Sequence, residues 1–335
     1  MNKTMRAIRR TASIFLTVAI AALSVLAQTN PLRLLSTAWP PFTNQAGQPR
    51  FALDLVEAAL GRIGVTSQTT IVDAAQFTGL LVKGPYDGSA AAWKDPERER
   101  ALLFSQPYLE NRLILVGRTG ADVSATALAD LKGKRVAIVE GYAYGEIDNA
   151  GPAFVRSSSE EDSLRQLLSG AVDYTLMDEI VVQYIVDNHS DEARAKLRFG
   201  SASLLTRPLY LAVRRTHPDA QSIVDRFNAQ LRAMIADRTY HRLLHVAWIR
   251  ADVDGDGLAE YISQSDSSGP SEPERAYTLF SGLGLEPQPQ PNQKRYLFGG
   301  TVYNDWAAVP EKYKNYDPQR PEPGLATAHI YKFSW

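Results

Sequence analysis

From residue 31 to residue 250 the chain moves between two hydrophobic rhythms. Short apolar or β-branched runs predict strands at 32–36, 68–72, 88–92, 113–118, 135–139, 174–177 and 209–214. Between them, apolar residues recur at helical spacing: Leu55, Val56, Ala59, Leu60 and Ile63 share one face, and Leu164, Leu167 and Leu168 another. The longest such pattern follows Pro218 and aligns Ile223, Val224, Phe227, Leu231, Met234 and Ile235. Strands and helices in alternation predict an α/β body, a parallel sheet with helices on both sides.

The two ends of the chain break this rhythm. At the start, Lys3, Arg6, Arg9 and Arg10 precede an apolar run from 12 to 26, with the small residues Val25 and Ala27 placed for cleavage after Ala27. About 15 apolar residues fall short of the roughly 20 that span a bilayer, so an export signal removed in a periplasm is expected rather than an anchor. At the other end, nine of the 19 prolines lie beyond residue 250, in stretches such as GPSEPE and EPQPQP, which places a seam there. Yet the same tail carries Tyr277, Phe280, Tyr296, Phe298, Tyr303, Trp306, Tyr313, Tyr316, Tyr331, Phe333 and Trp335. Disordered tails are poor in aromatics, so this one is expected to be ordered against the body or as a small module.

Composition narrows the function. The absence of cysteine excludes thiol chemistry, disulfides and zinc–thiolate sites, and suits an oxidising compartment. Of the net charge of −1, the leader holds four bases and the tail has 12 acids against seven bases, which leaves a neutral body without a basic stripe for nucleic acid. No phosphate-cradling, dinucleotide, HExxH or GxSxG motif is present, and no organic cofactor is implied. One metal loop is suggested: DVDGDGLAE offers oxygens from Asp252, Asp254, Asp256, the Leu258 carbonyl and Glu260, with Gly257 at the sharp turn, a spacing that suits Ca²⁺. Ser263 stands where an EF-hand needs a bidentate glutamate, so a nine-residue loop fits better.

Two polar positions stand out in the body. Arg98 follows Asp95-Pro96-Glu97, in which Asp95 is a good N-cap and Pro96 suits the first helical position. Asp178 ends an apolar strand and opens a helix, a place from which a carboxylate either caps the helix or faces a crevice. A fixed cation and a fixed anion on separate halves of a chain are what a cleft needs to hold a zwitterion. Trp39, before Pro40-Pro41-Phe42, is a candidate rigid aromatic wall.

The order of signposts resembles the type 2 periplasmic solute-binding proteins, particularly the branch serving polar amino acid ABC transporters. It rests on TAWPPF, ALDLVEAALGRIGV, YDGSAAAWKDPERERALLFSQPY, LADLKGKRVAIVEGYAYG, LLSGAVDYTLMDEIVVQYIV, RPLYLAVRRTHPD and the closing helix near Trp248. The resemblance implies a two-lobed type II (Venus-flytrap) α/β fold with a C-terminal extension: signal 1–27, lobe 1 from 28–112 and 208–250, lobe 2 from 113–207, extension 251–335. It implies that Arg98 takes a ligand α-carboxylate, Asp178 the α-ammonium, and Trp39 the side chain. A small-molecule ligand, an inner-membrane permease and a monomeric protein without catalysis are then expected.

The departures from the family pattern point to an unusual ligand. Trp93 and Asp95 replace a serine and a threonine ahead of Arg98, and Gly141-Tyr142-Ala143-Tyr144-Gly145 replaces a glycine-hydroxyl loop. Trp39, Trp93, Tyr142 and Tyr144 would favour an aromatic, cationic or long-chain ligand. Backbone N–H groups of 141–145, expected to open a helix, would attract an anionic group. Two other readings stay open: a ligand-sensing subunit of a signalling system, and an enzyme of the cyclohexadienyl dehydratase type with a carboxylic acid in the cleft.

Overall fold

A computed structural model describes residues 30–245, 248–253, 256–263, 265, 270–273, 276–278 and 294–314. The expected leader, 1–27, lies outside them. Among the described residues no helix is long and apolar enough to cross a membrane.

The first half of the body contains β1 (Leu32–Thr37), α1 (Phe51–Arg62), β2 (Ser67–Val72), α2 (Ala74–Lys83), β3 (Gly88–Ala92), α3 (Pro96–Ala101) and β4 (Leu102–Phe104). The chain then crosses on β5 (Leu109–Arg118) into β6 (Arg135–Val139), β7 (Ala153–Ser157), α4 (Glu160–Ser169), β8 (Tyr174–Asp178), α5 (Glu179–Asn188) and α6 (Ser190–Lys196). It returns on the 18-residue β9 (Leu197–Arg214) to α7 (Ala220–Ala236) and α8 (Thr239–Leu244). One sheet runs through both halves in the order β2-β1-β3-β9-β5-β8-β6-β7, with β4 also on β9.

The sheet is mixed, which corrects the expectation of a parallel one. Pairs β1–β2, β1–β3, β6–β7 and β6–β8 are parallel. The two crossing strands run antiparallel to each other from Leu109↔Leu209 to Arg118↔Leu197, because one carries the chain out of the first half and the other brings it back. β9 also pairs antiparallel with β3 and β4, and β5 with β8. Apolar runs alone report burial and not strand direction, so this was invisible in the hydrophobic pattern.

The helical faces pack as their periodicity requires. Leu55, Val56, Ala59 and Leu60 of α1 are buried, as are Ile223, Val224, Phe227, Leu231, Met234 and Ile235 of α7. The fully buried Tyr240 of α8 donates to the Tyr108 carbonyl at 2.6 Å, just ahead of β5.

Past α8 a second sheet forms in the order β12-β10-β11-β13-β14: β10 (Trp248–Ala251), β11 (Glu260–Ser263), β12 (Tyr277–Thr278), β13 (Arg295–Phe298) and β14 (Thr301–Tyr303), followed by α9 (Glu311–Lys314). Tyr296, Phe298 and Val309 form its buried centre, with Trp248, Tyr261, Tyr303, Trp306 and Tyr313 around them. The aromatics of the tail thus build a small module, while Phe280, Tyr316, Tyr331, Phe333 and Trp335 lie outside the described residues. The module reaches the crossing strand: Tyr277 Oη accepts from Glu110 N at 2.8 Å and donates to its carbonyl at 3.2 Å, and Arg112 lies 5.0 Å over the Tyr277 ring.

Candidate functional site

The site is assembled at strand ends. After β1, a tight turn in which Phe42 N and Thr43 N both bond the Trp39 carbonyl at 2.9 Å turns the Trp39 ring to the crevice. Directly after β3 comes Trp93, and then α3, whose N-cap Asp95 accepts from Glu97 N at 2.8 Å and Arg98 N at 2.9 Å. This is the cap predicted from Asp95-Pro96, and it fixes the first turn that carries Arg98.

Arg98 is only 3% exposed, and its guanidinium is held on several sides. Nε pairs with Asp95 Oδ2 at 2.9 Å, Nη1 donates to the Trp93 carbonyl at 2.9 Å, and Nη2 donates to Thr78 Oγ1 at 2.7 Å. A longer contact of 3.4 Å joins Nη2 to the Gly141 carbonyl, which belongs to the other half of the molecule. The Phe77 ring lies 5.1 Å beneath. Burial pulls the guanidinium below its ordinary pKa, offset by the Asp95 charge, and it remains a cation.

Arg98, Trp39, Trp93 and Tyr142 line one crevice together with Thr37, Phe77, Ala91, Gly141, Ala143 and Leu209, a space of about 320 Å³ counted out into open solvent. The rings of Trp39, Trp93 and Tyr142 lie 5.5 Å apart pairwise, near edge-on. Tyr144 packs against this group, 5.5 Å from Trp93 and 6.0 Å from Tyr142, with its Oη accepting from Val139 N at 3.0 Å. Residues 141–149 form a loop of turns and not a helix, which corrects that expectation: Gly141 and Gly145 take φ of 79° and 89°, outside helical backbone.

Asp178 does not border this cavity. It is 1% exposed and sits behind Trp93: Trp93 Nε1 donates to Asn111 Oδ1 at 2.8 Å, and Asn111 Nδ2 donates to Asp178 Oδ2 at 3.1 Å. Its other oxygen accepts from Ile180 N at 2.7 Å, capping α5. Burial pushes its carboxyl up to about 7, against the lowering pull of the Ile180 and Asn111 donors.

Glu160 and Asn111 escaped the sequence reading. Glu160 opens α4 in SSSEED, which reads as a surface helix start, yet it is 8% exposed and its Oε1 accepts from Trp39 Nε1 at 2.6 Å across the two halves. Burial, with the Asp178 charge adding to it, pushes this carboxyl up to about 8 despite the tryptophan donor. Thr37 lines the crevice and Thr78 accepts from Arg98, and no local signal marked either.

In the acidic loop, Asp252 Oδ2 accepts from Gly257 N at 2.8 Å and Glu260 Oε2 accepts from Val253 N at 3.0 Å. Arg295 pairs with Asp256 at 2.6 Å and with the fully buried Glu260 at 3.1 Å. Leu258 N donates to Asp256 Oδ1 at 2.8 Å, and Asp254 lies outside the described residues. Among the described residues no three carboxylate or imidazole groups gather as a metal site would require.

Gly141 lies close against the opposite half. A Cβ there would stand 2.5 Å from the Ala74 carbonyl at the start of α2, on a backbone with φ of 79°. Gly141→Ala is therefore expected to hold the halves apart and weaken ligand affinity by about tenfold or more, with backbone strain of about 1–2 kcal/mol. Calorimetric titration beside an unchanged far-UV circular dichroism spectrum would check it.

The model of bacterial extracellular solute-binding proteins, family 3, matches residues 34–250. The chain belongs to that family. The ABC transporter arginine-binding protein 1 of Escherichia coli (strain K12) is 28% identical over 216 residues, 62% of this chain and 86% of that protein. The L-arginine-binding protein of Pseudomonas aeruginosa is 22% identical over 250 residues, covering 68% and 92%. Among solved structures, an ancestral arginine-binding protein bound to arginine superposes with a TM-score of 0.54 at 25% identity, covering 64% of this chain and 96% of its own. The resemblance drawn from the signposts thus holds: this family 3 protein has the two-lobed, mixed α/β fold of the type II binding proteins, the crossing strands β5 and β9 joining its lobes. The module beyond residue 250 is outside the family match.

Proposed function

We propose that this family 3 protein captures a small amino-acid-like ligand between its lobes, the carboxylate anchored by Arg98, and presents it to an ABC-type permease after export and cleavage following Ala27. The observation that carries this reading is Arg98 itself, a buried guanidinium on the wall of an aromatic cavity that reaches the opposite lobe through its weakest contact, 3.4 Å to the Gly141 carbonyl. Opening the lobes frees that donor for a planar acceptor, and closing them again excludes water from the pair. Curated relatives named as arginine-binding proteins support an amino acid as the ligand. Capture without turnover is the simplest use of this geometry, since the buried acids Asp178 and Glu160 are already tied to Asn111 and Trp39.

A thermal-shift screen of amino acids, polyamines and aromatic acids tests it. An α-amino acid is expected to raise the melting temperature, whereas stabilisation by polyamines or aromatic acids alone would contradict the amino-acid reading.

A further inference from the structure

The module beyond residue 250 lies outside the family match, yet it is built into the body rather than hung from it. Ile249, Ala251 and Ile262 are buried in the same core as the apolar faces of α1, β5 and α7, and Tyr277 packs partly buried against that core. The Tyr277 hydroxyl ends on β5, the strand that carries the chain from one lobe to the other. There it holds both backbone groups of Glu110, accepting from the N–H at 2.8 Å and donating to the carbonyl at 3.2 Å. The neighbouring strands leave Glu110 short of partners. β8 ends at Asp178, opposite Leu113, before it reaches Glu110, and the β9 residue opposite Glu110 is Pro208, which has no N–H to donate. A hydroxyl, donor and acceptor at once, fills both needs.

The place of this contact matters for the lobes. Tyr240 of α8 already pins the chain at the Tyr108 carbonyl, so two tyrosine hydroxyls fix β5 where it leaves the first lobe. The next residue along, Asn111, is fully buried and accepts the Trp93 indole N–H at 2.8 Å, holding one wall of the crevice. A short path therefore joins the module to the crevice, from Tyr277 through the Glu110-Asn111 backbone to Trp93. Hinge bending is absorbed by a few backbone dihedrals. A residue whose N–H and carbonyl are both held does not turn without losing those bonds, so the contact favours the arrangement in which Arg98 and Trp39 reach across to the other lobe. We propose that the C-terminal module is a brace on the hinge, with Tyr277 as a positioning residue: by holding β5 at Glu110 it fixes the Trp93 wall and favours closed lobes. The brace acts with or without a ligand, whatever the ligand's chemistry.

Distances between spin labels on the whole protein, measured without ligand, test the brace. The chain has no cysteine of its own, so Lys83→Cys at the exposed end of α2 and Glu146→Cys in the exposed loop after Gly145 take one label each. Tyr277→Phe removes the hydroxyl and leaves the ring, and is expected to raise the ratio of open to closed lobes about three- to tenfold, with the circular dichroism spectrum unchanged. Tyr296→Phe loses a bond internal to the module, 2.6 Å to Glu272, and is expected to leave the ratio at the parent value. In heteronuclear NMR the Trp93 indole resonance, assigned by its loss in Trp93→Phe, should move in the first variant and stay in the second. The same distance distribution in the parent and in Tyr277→Phe would overturn the brace. So would equal opening in Tyr296→Phe, which would make general loosening of the module the cause. A Trp93 resonance that stays in place in Tyr277→Phe would overturn the path to the crevice wall.

Discussion

Arg98→Ala is expected to weaken ligand binding by about 100-fold or more while the two lobes stay folded. A buried guanidinium meeting a carboxylate in a closed cleft makes two charge-assisted hydrogen bonds, and truncating one partner of such a pair costs roughly 2–5 kcal/mol in affinity. In the protein the fork is already oriented by the Trp93 carbonyl, Thr78 and Asp95, so its rotamer is fixed before any ligand arrives. Those same contacts imply some loss of stability in the alanine variant, since Thr78 and Asp95 each lose a partner. Arg98→Lys separates the two effects: it keeps the charge but not the planar fork, and should bind with an intermediate affinity. Titration calorimetry reads the affinity and circular dichroism the fold. Wild-type affinity in Arg98→Ala would place the carboxylate anchor elsewhere.

The second large effect concerns pH. Burial raises Glu160 to about 8 and Asp178 to about 7, both above ordinary carboxylates. An acid whose folded pKa is raised binds more protons folded than unfolded, so its contribution to stability is full in acid and disappears as pH rises through the folded pKa. His241 runs the other way: burial holds it down to about 4, so the folded protein gains relative to the unfolded one until pH passes about 6.5, the ordinary histidine value, and gains no further. Asp237, lowered to about 2 by Arg62 and Thr239 against its own desolvation, matters only in strong acid. Around Glu160 the ionisable neighbours are Asp178, Tyr142 and Tyr144, and both phenols stay neutral throughout. The clean window is therefore pH 6.5 to 8, where unfolding free energy without added ligand should fall by an amount on the order of a few kcal/mol. Denaturant unfolding at four pH values measures it, and Glu160→Gln should flatten the slope. A stability that is level or rises across that window contradicts the buried acids.

Much of this was legible along the chain, and the failures have physical reasons. Local rules served well: Asp95-Pro96 predicted the cap of α3, and the apolar stripe after Pro218 predicted the buried face of α7. What failed was long-range. Strand direction in β5 and β9 depends on how the chain returns between lobes, and no residue encodes that locally. The loop after Gly141 looked like a helix start, but glycines with positive φ at 141 and 145 take the backbone out of helix, and Gly141 lies close to the Ala74 carbonyl instead. Glu160 reads as an ordinary acid in the first turn of a helix capped by Ser159, and only the folded molecule places Trp39 above it, 121 residues away. Asp178 had two readings from its place at a strand end. It does cap α5, and it reaches the cleft only through Asn111 and Trp93.

The crystal structure of the complex with the best-binding amino acid is the most direct test of the account. The ligand is predicted to lie between the lobes with its carboxylate on the Nη atoms of Arg98, in place of the Gly141 carbonyl, and its side chain among the Trp39, Trp93 and Tyr142 rings. A ligand bound outside this cavity, or one whose carboxylate turns away while Arg98 stays on the Gly141 carbonyl, would contradict it.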